Sequence, residues 1–236
     1  MLADIVRETA RLVKPGVSTA ALDIAAEKMI CARGGIPAFL HYKPDGAPYP
    51  YPAALCVSIN DEIVHGIPSE TRLLQEGDIV CLDLGLSYKG YFTDHAITVP
   101  VGKIDKASQK LIDGTREALS AVLKNMRAGA HTGDVGAAVM EVASSYGLGV
   151  VRDLGGHGVG KSVHEKPFIE NIGMAGDGEK LVEGQVLALE PMLALGKGDI
   201  SLDPDGYTYR TKDGSRSAHF EHTVLITKNG AEVLTR

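Results

Sequence analysis

The chain has 236 residues, 44% of them apolar and 23% charged, with a formal net charge of −6. Such a chain buries a sizeable core as one large domain or two small ones and reads as soluble and globular. Dispersed Lys and Arg under a net negative charge exclude an electrostatic footprint for nucleic acid or anionic membrane, and no run approaches the roughly 20 apolar residues of a membrane span.

Residues 1–13 predict an amphipathic helix ended by Lys14-Pro15-Gly16. Its early mixture of acidic and basic residues reads as a helix and not a signal peptide, so the expected compartment is the cytoplasm. Ser18 or Thr19 caps a second helix to about Arg33, stopped by Gly34-Gly35. Residues 36–52 hold five prolines and three tyrosines and predict a loop without regular structure. A strand over Ala54–Ile59, a turn at Asn60-Asp61-Glu62 and a short run to Pro68 follow. Helices are expected at about 106–126 and 133–146, the second led by Thr132. Val150-Val151 then leads into the glycine-rich Gly155–Gly160. That segment lacks a following Lys-Ser/Thr and does not open a helix, so it is no phosphate loop. The last third predicts strands at Gln185–Leu195 and Ala218–Thr227, with a polar hairpin around 200–212. Cys31, Cys56 and Cys81 have no paired spacing, which favours a reducing compartment. Cys31 in a predicted helix and Cys81 in a predicted strand are expected in the core.

Two apolar runs, Gly77–Gly85 and Gly90–Val99, flank Ser87-Tyr88-Lys89-Gly90, a candidate four-residue turn. That turn would place Asp83 directly opposite Asp94, with Cβ atoms roughly 5 Å apart. Two buried like charges at that distance repel, so a cation between them, a metal ion first, or a shared proton is expected. The pattern repeats along the chain. Lys14-Pro-Gly-Val-Ser-Thr19 resembles Arg127-Ala-Gly-Ala-His-Thr132. Glu76–Asp83 aligns without a gap on Glu183–Glu190, and Thr93-Asp94-His95 echoes Phe220-Glu221-His222. A duplicated fold, one domain over 1–236 with halves of about 1–104 and 105–236, would bring Asp83, Asp94, Glu190 and Glu221 to one centre.

Four converging carboxylates with one or two histidines suit a divalent ion, and more specifically two ions bridged by shared carboxylates. Asp83 and Glu190 stand inside apolar runs that leave no solvent face, Glu190 beside Pro191. His157 stands between glycines, where backbone can approach a ligand. His65 and His164 are weaker candidates taken singly. His41, His95, His131, His219 and His222 are expected to be surface or packing residues.

His65-Gly-Ile-Pro68, the Asp83/Asp94 pair, Gly156-His157-Gly-Val-Gly160, His164-Glu165-Lys-Pro167, Leu189-Glu190-Pro191 and Phe220-Glu221-His222-Thr223 together resemble the type I methionine aminopeptidases, over nearly the whole chain and in order. The resemblance implies the α/β pita-bread fold, two pseudo-symmetric halves around a dinuclear metal site. It implies Asp83 on one ion, His157 and Glu190 on the other, and Asp94 and Glu221 bridging both, the ions being Co, Mn, Fe or Zn. It implies catalytic roles for His65, His164 and Glu190, and attack of a metal-bridging hydroxide on the first peptide bond of a Met-peptide or nascent chain. A transient ribosome contact goes with that role. Tyr51, Cys56, Val163 and Tyr207 are the candidates for the methionine pocket. Val163 replaces a residue that is commonly Phe, Tyr207 one that is often Trp in bacterial members, and the 40–52 loop is longer and richer in proline. Val163-His164-Glu165 also fits an Xaa-Pro aminopeptidase or prolidase of the same fold, the alternative enzyme. A non-catalytic binding module on that fold is the alternative of a different class.

Overall fold

In the computed structural model, which describes residues 1–236, helices precede strands twice along the chain. The helices α1 (Leu2–Ala10) and α2 (Thr19–Ala32) lead to β1 (Ile36–Pro37), β2 (Leu55–Ile59), β3 (Glu62–Val64), β4 (Ile79–Tyr88) and β5 (Tyr91–Pro100). Then α3 (Lys106–Asn125) and α4 (Thr132–Tyr146) lead to β6 (Gly149–Val150), β7 (Gly155–Gly158), β8 (Glu165–Glu170), β9 (Val186–Leu189) and β10 (Met192–Ala194). The chain closes with β11 (Ile200–Leu202), β12 (Tyr209–Thr211), β13 (Ser217–His219), β14 (His222–Ile226) and β15 (Ala231–Val233). No helix is long and apolar enough to cross a membrane.

Each helix pair lies on its own apolar cluster. Leu22, Ala26 and Ile30 form one buried stripe of α2, packed with Leu2, Ile5 and Val6 of α1 on Leu55, Val57, Val80, Leu82 and Leu84. Cys31 lies one position off that stripe and is exposed, which corrects its expected place in the core; Cys81 is buried as expected. The Ser18 side chain accepts from Ala21 N at 3.2 Å, completing the cap of α2. At α4 the cap position falls on His131 and not Thr132, and the Asp134 carboxylate accepts from His131 N at 2.7 Å. The second cluster packs Leu111, Ile112 and Val122 of α3 and Val139 and Val142 of α4 against Leu187, Leu189, Leu193 and Val224.

All strand pairs are antiparallel. One sheet centres on β4, with β5 on one side and β2 and β1 on the other, and another runs β15-β14-β9-β7-β8. The β4–β5 hairpin departs from the expected register. Tyr88 faces Tyr91, so the loop is only Lys89-Gly90, with φ of 53° and 79°. Left-handed backbone at both central residues is the two-residue geometry that matches strand twist, and Gly90 takes it without a Cβ penalty. Every pair therefore shifts by two residues from expectation. Asp83 faces Ala96 and Asp94 faces Gly85. A two-residue shift preserves the face, so the two acids are diagonal neighbours on one side of the hairpin and not directly opposite. Two further expectations need correcting. The proline-rich segment opens on β1, which pairs with Leu86 and Ser87 of β4, and the expected strand over Gln185–Leu195 breaks at Glu190-Pro191.

Candidate metal centre

The site forms where the two helix-plus-strand halves meet edge to edge. Asp94 N donates to Thr223 Oγ1 at 2.8 Å, and that hydroxyl donates to the Asp94 carbonyl at 2.7 Å. Glu221 N donates to the Ala96 carbonyl at 2.9 Å. These bonds clamp β5 to the approach of β14 at the positions carrying the acids. Asp83 comes from β4, Asp94 from β5 and His157 from β7, while Glu190 directly follows β9 and Glu221 directly precedes β14. The last ladder pair of β9 and β14 is Leu189 with His222, so Glu190 and Glu221 emerge side by side where the ladder ends.

All five residues are buried, between 2% and 9% exposed. One ligating atom each of Asp94, His157 and Glu221 lie within 4.8 Å of one another. Asp83 and Glu190 stand outside that tight triad but line the same cavity, with Glu190 Oε1 3.5 Å from His157 Nε2. The electrostatics are those of a site built for a cation. Burial, then the Asp94 carboxylate, pushes Asp83 well above the usual carboxylate range. Burial pushes Asp94 up to about 7, against a hydrogen bond from the His95 amide and one shared with Asp83. Glu190 and Glu221 rise through burial and the neighbouring carboxylates. Asp83 Oδ1 and Glu221 Oε1 are buried with no hydrogen-bond partner from the protein. Groups of that kind cost several kcal/mol unless a counter-charge meets them. Four carboxylates and one imidazole are a hard-to-borderline donor set, so these residues fit a divalent ion.

The imidazole is set up for ligation. His157 Nδ1 lies 2.8 Å from the Gly158 carbonyl, which accepts its proton and leaves Nε2 with a lone pair toward the acids. His65 and His164 line the cavity beside it. Burial pushes His65 down to about 4, against a hydrogen bond to the Tyr207 backbone. His164 is exposed over the residue as a whole, yet its ring packs between His157 and Tyr42, at centroid distances of 4.4 and 5.4 Å. Withdrawal of that ring from water, and then His157 and His65 beside it, lower its pKa too. Both side chains are therefore neutral hydrogen-bonding groups at neutral pH.

The cavity has a volume of about 90 Å³. Drug-sized sites run to about 300 Å³ or more, so this space suits a single side chain. Tyr51, Cys56 and Tyr207 lie on its apolar wall. Cys56 pairs with Asp83 across β2 and β4, which places the thiol beside the acids. Val163 is buried in the same apolar cluster but is not on the cavity wall, a correction to its expected place. Phe39, Tyr42 and Pro44 line the cavity and were not foreseen. Their only signal was the aromatic content of a segment otherwise read as loop. His219, expected to be a surface or packing residue, packs against the acids. It is 1% exposed, its Nε2 lies 3.4 Å from Glu190 Oε2 and its Nδ1 3.7 Å from Cys81 Sγ.

Buried acids and a histidine beside a side-chain-sized cavity, on these antiparallel sheets and helices, mark a metal-dependent hydrolase of the pita-bread fold. The chain belongs to metallopeptidase family M24, whose model matches residues 1–228. It is 47% identical to the methionine aminopeptidase of Aquifex aeolicus, over 100% of this chain and 92% of that one. It is 43% identical to the methionine aminopeptidase of Clostridium acetobutylicum, over 98% and 92%. The crystal structure of methionine aminopeptidase from Thermotoga maritima superposes with a TM-score of 0.94 at 41% identity, covering 100% of this chain and 92% of that one. Prolidase from Pyrococcus furiosus superposes with a TM-score of 0.74 at 24% identity, covering 100% and 60%, a likeness of fold alone.

Proposed function

We propose that this chain hydrolyses the first peptide bond of peptides and nascent chains that begin with methionine. The observation that carries the proposal is the meeting of the buried acids and His157 with an apolar cavity sized for one side chain, in a chain 47% identical to a methionine aminopeptidase. Asp83, Asp94, His157, Glu190 and Glu221 would hold two divalent ions of Mn, Fe, Co or Zn. Such ions acidify a water and polarise a carbonyl when bound. Glu190 takes the proton of the attacking water and hands it to the leaving amine. His65 and His164, both neutral, hydrogen-bond the developing oxyanion or the leaving nitrogen, where a fixed donor acts without reorganisation. Tyr51, Cys56 and Tyr207 receive the methionine side chain, with Val163 packed behind them.

In this reading 1–236 works as one catalytic domain whose halves, about 1–104 and 105–236, each bring one pair of acids. The chain acts in the cytoplasm, in transient contact with the ribosome that presents its substrates. Val163-His164-Glu165 favours a second reading, an Xaa-Pro aminopeptidase. A panel of Met-Ala-Ser and Ala-Pro peptides with each metal in turn separates the two. Methionine release is the expected outcome, and faster cleavage of Ala-Pro sinks the first reading.

A further inference from the structure

Tyr42 is the one side chain whose hydroxyl pairs with the ring of the outer substrate histidine. Its Oη lies 3.0 Å from His164 Nδ1. Neither the phenol oxygen nor His164 Nε2 has another hydrogen-bond partner in the protein. The backbone that carries the ring is held from several directions. Tyr42 N donates to the Phe39 carbonyl at 2.9 Å, and the Tyr42 carbonyl accepts from Tyr51 N at 2.8 Å. Further along the same loop, Tyr49 Oη donates to the Asp205 carbonyl at 2.7 Å, and Tyr207 Oη donates back to the Tyr49 carbonyl. A proline-rich loop that would otherwise be loose is thus fastened at both ends of its span, with the phenol aimed at the imidazole.

A neutral imidazole carries one N–H, and the partner of one nitrogen decides which nitrogen bears it. A phenol donating to Nδ1 leaves the imidazole proton on Nε2. The reverse arrangement, with Nδ1–H donating to the phenol, would turn Nε2 into an acceptor, which cannot steady an oxyanion. We propose that Tyr42 is a positioning residue that donates from Oη to Nδ1 of His164, fixes the ring as its Nε2–H tautomer and so presents a hydrogen-bond donor to the reacting amide. The substrate half of this inference rests on the peptidase reading; the tautomer half does not.

Tyr42→Phe removes only the hydroxyl and keeps the ring against the cavity wall. In the metal-loaded protein, nitrogen NMR of His164 is expected to show the proton on Nε2, and in Tyr42→Phe a mixture of both tautomers. With Met-Ala-Ser, kcat should fall about tenfold, the worth of one such hydrogen bond, while KM changes by less than about twofold. In a His164→Ala background the same substitution should add no further loss. A proton on Nδ1 in the unaltered protein, or an equal loss of kcat in both backgrounds, overturns the proposal. If the unaltered chain releases no methionine at all, the peptidase reading fails, and the nitrogen spectrum still decides the role of Tyr42.

Discussion

Asp94 and Glu221 each carry their neighbours' burden as well as their own. Asp94 accepts from the His95 amide at 3.0 Å, and the His95 ring stacks on that of His222 at 4.8 Å beneath Glu221. If these two acids bridge the ions, Asp94→Asn or Glu221→Gln should cut methionine release by roughly 10³-fold or more with the fold retained. His164→Ala should act otherwise, lowering kcat by roughly 10²-fold with metal content unchanged. Metal analysis beside the kinetics separates the cases, and loss of metal in His164→Ala would make that residue a ligand. The same residues give the metal-free protein a characteristic pH response. An acid whose folded pKa is raised stays protonated in the fold while it ionises in the unfolded chain, so the fold loses stability as pH rises between the two values. Asp94, raised from 3.8 to about 7, does this across that window, and Asp83, Glu190 and Glu221, raised by burial and the neighbouring carboxylates, act in the same direction. Depressed histidines act in the opposite direction. His65 at about 4 and His219 at about 3 favour the fold above 6.5 and weaken it as pH falls below. Above pH 6.5 the histidines no longer oppose the acids, so thermal melts in chelator should drop from pH 6.5 to about 7, where Asp94 titrates in the fold. Added divalent ion should remove the drop. A flat or rising profile in chelator would contradict it.

At the scale of elements, the glycine beside His65 is an exacting position. Gly66 runs so close to β2 that a Cβ would lie 2.3 Å from the Val57 carbonyl oxygen. Gly66→Ala is predicted to cost about 1–3 kcal/mol in chemical unfolding, because backbone and not a flexible side chain must move. It should also lower kcat, since His65 sits beside it with φ of 59°. Unchanged stability would show that β2 yields without cost. Much of this architecture is legible in the chain. Acids within apolar runs at Asp83 and Glu190 can only be buried, and helices capped at Ser18 and stopped at Gly147 announce themselves locally. The hairpin register was not legible, because Ser87-Tyr88-Lys89-Gly90 and Tyr88-Lys89-Gly90-Tyr91 are both acceptable turns and only the left-handed backbone of Lys89 decides. Either register serves the site, since a shift of two keeps both acids on one face. Cys31 was misplaced because one step along a helix turns a residue by about 100° out of its stripe. Phe39, Tyr42 and Pro44 reach the cavity through tertiary packing, such as that of Tyr42 with His164, 122 positions away, which no local pattern encodes.

For the whole molecule, the centre is the seam between two apolar clusters that share only the partly buried Ile97. Each half alone would leave two buried carboxylates uncompensated. Bound metal would then add to the stability of the joined halves, with a gain that follows mass action as RT ln(1 + [L]/Kd). The most direct measurement is a titration of chelator-stripped protein with a divalent ion, following both bound ion and methionine released from Met-Ala-Ser. The account predicts no release without metal, release that rises with occupancy up to two ions per chain, and loss of both occupancy and release in Asp94→Asn. Full methionine release from protein shown to hold no metal would contradict it.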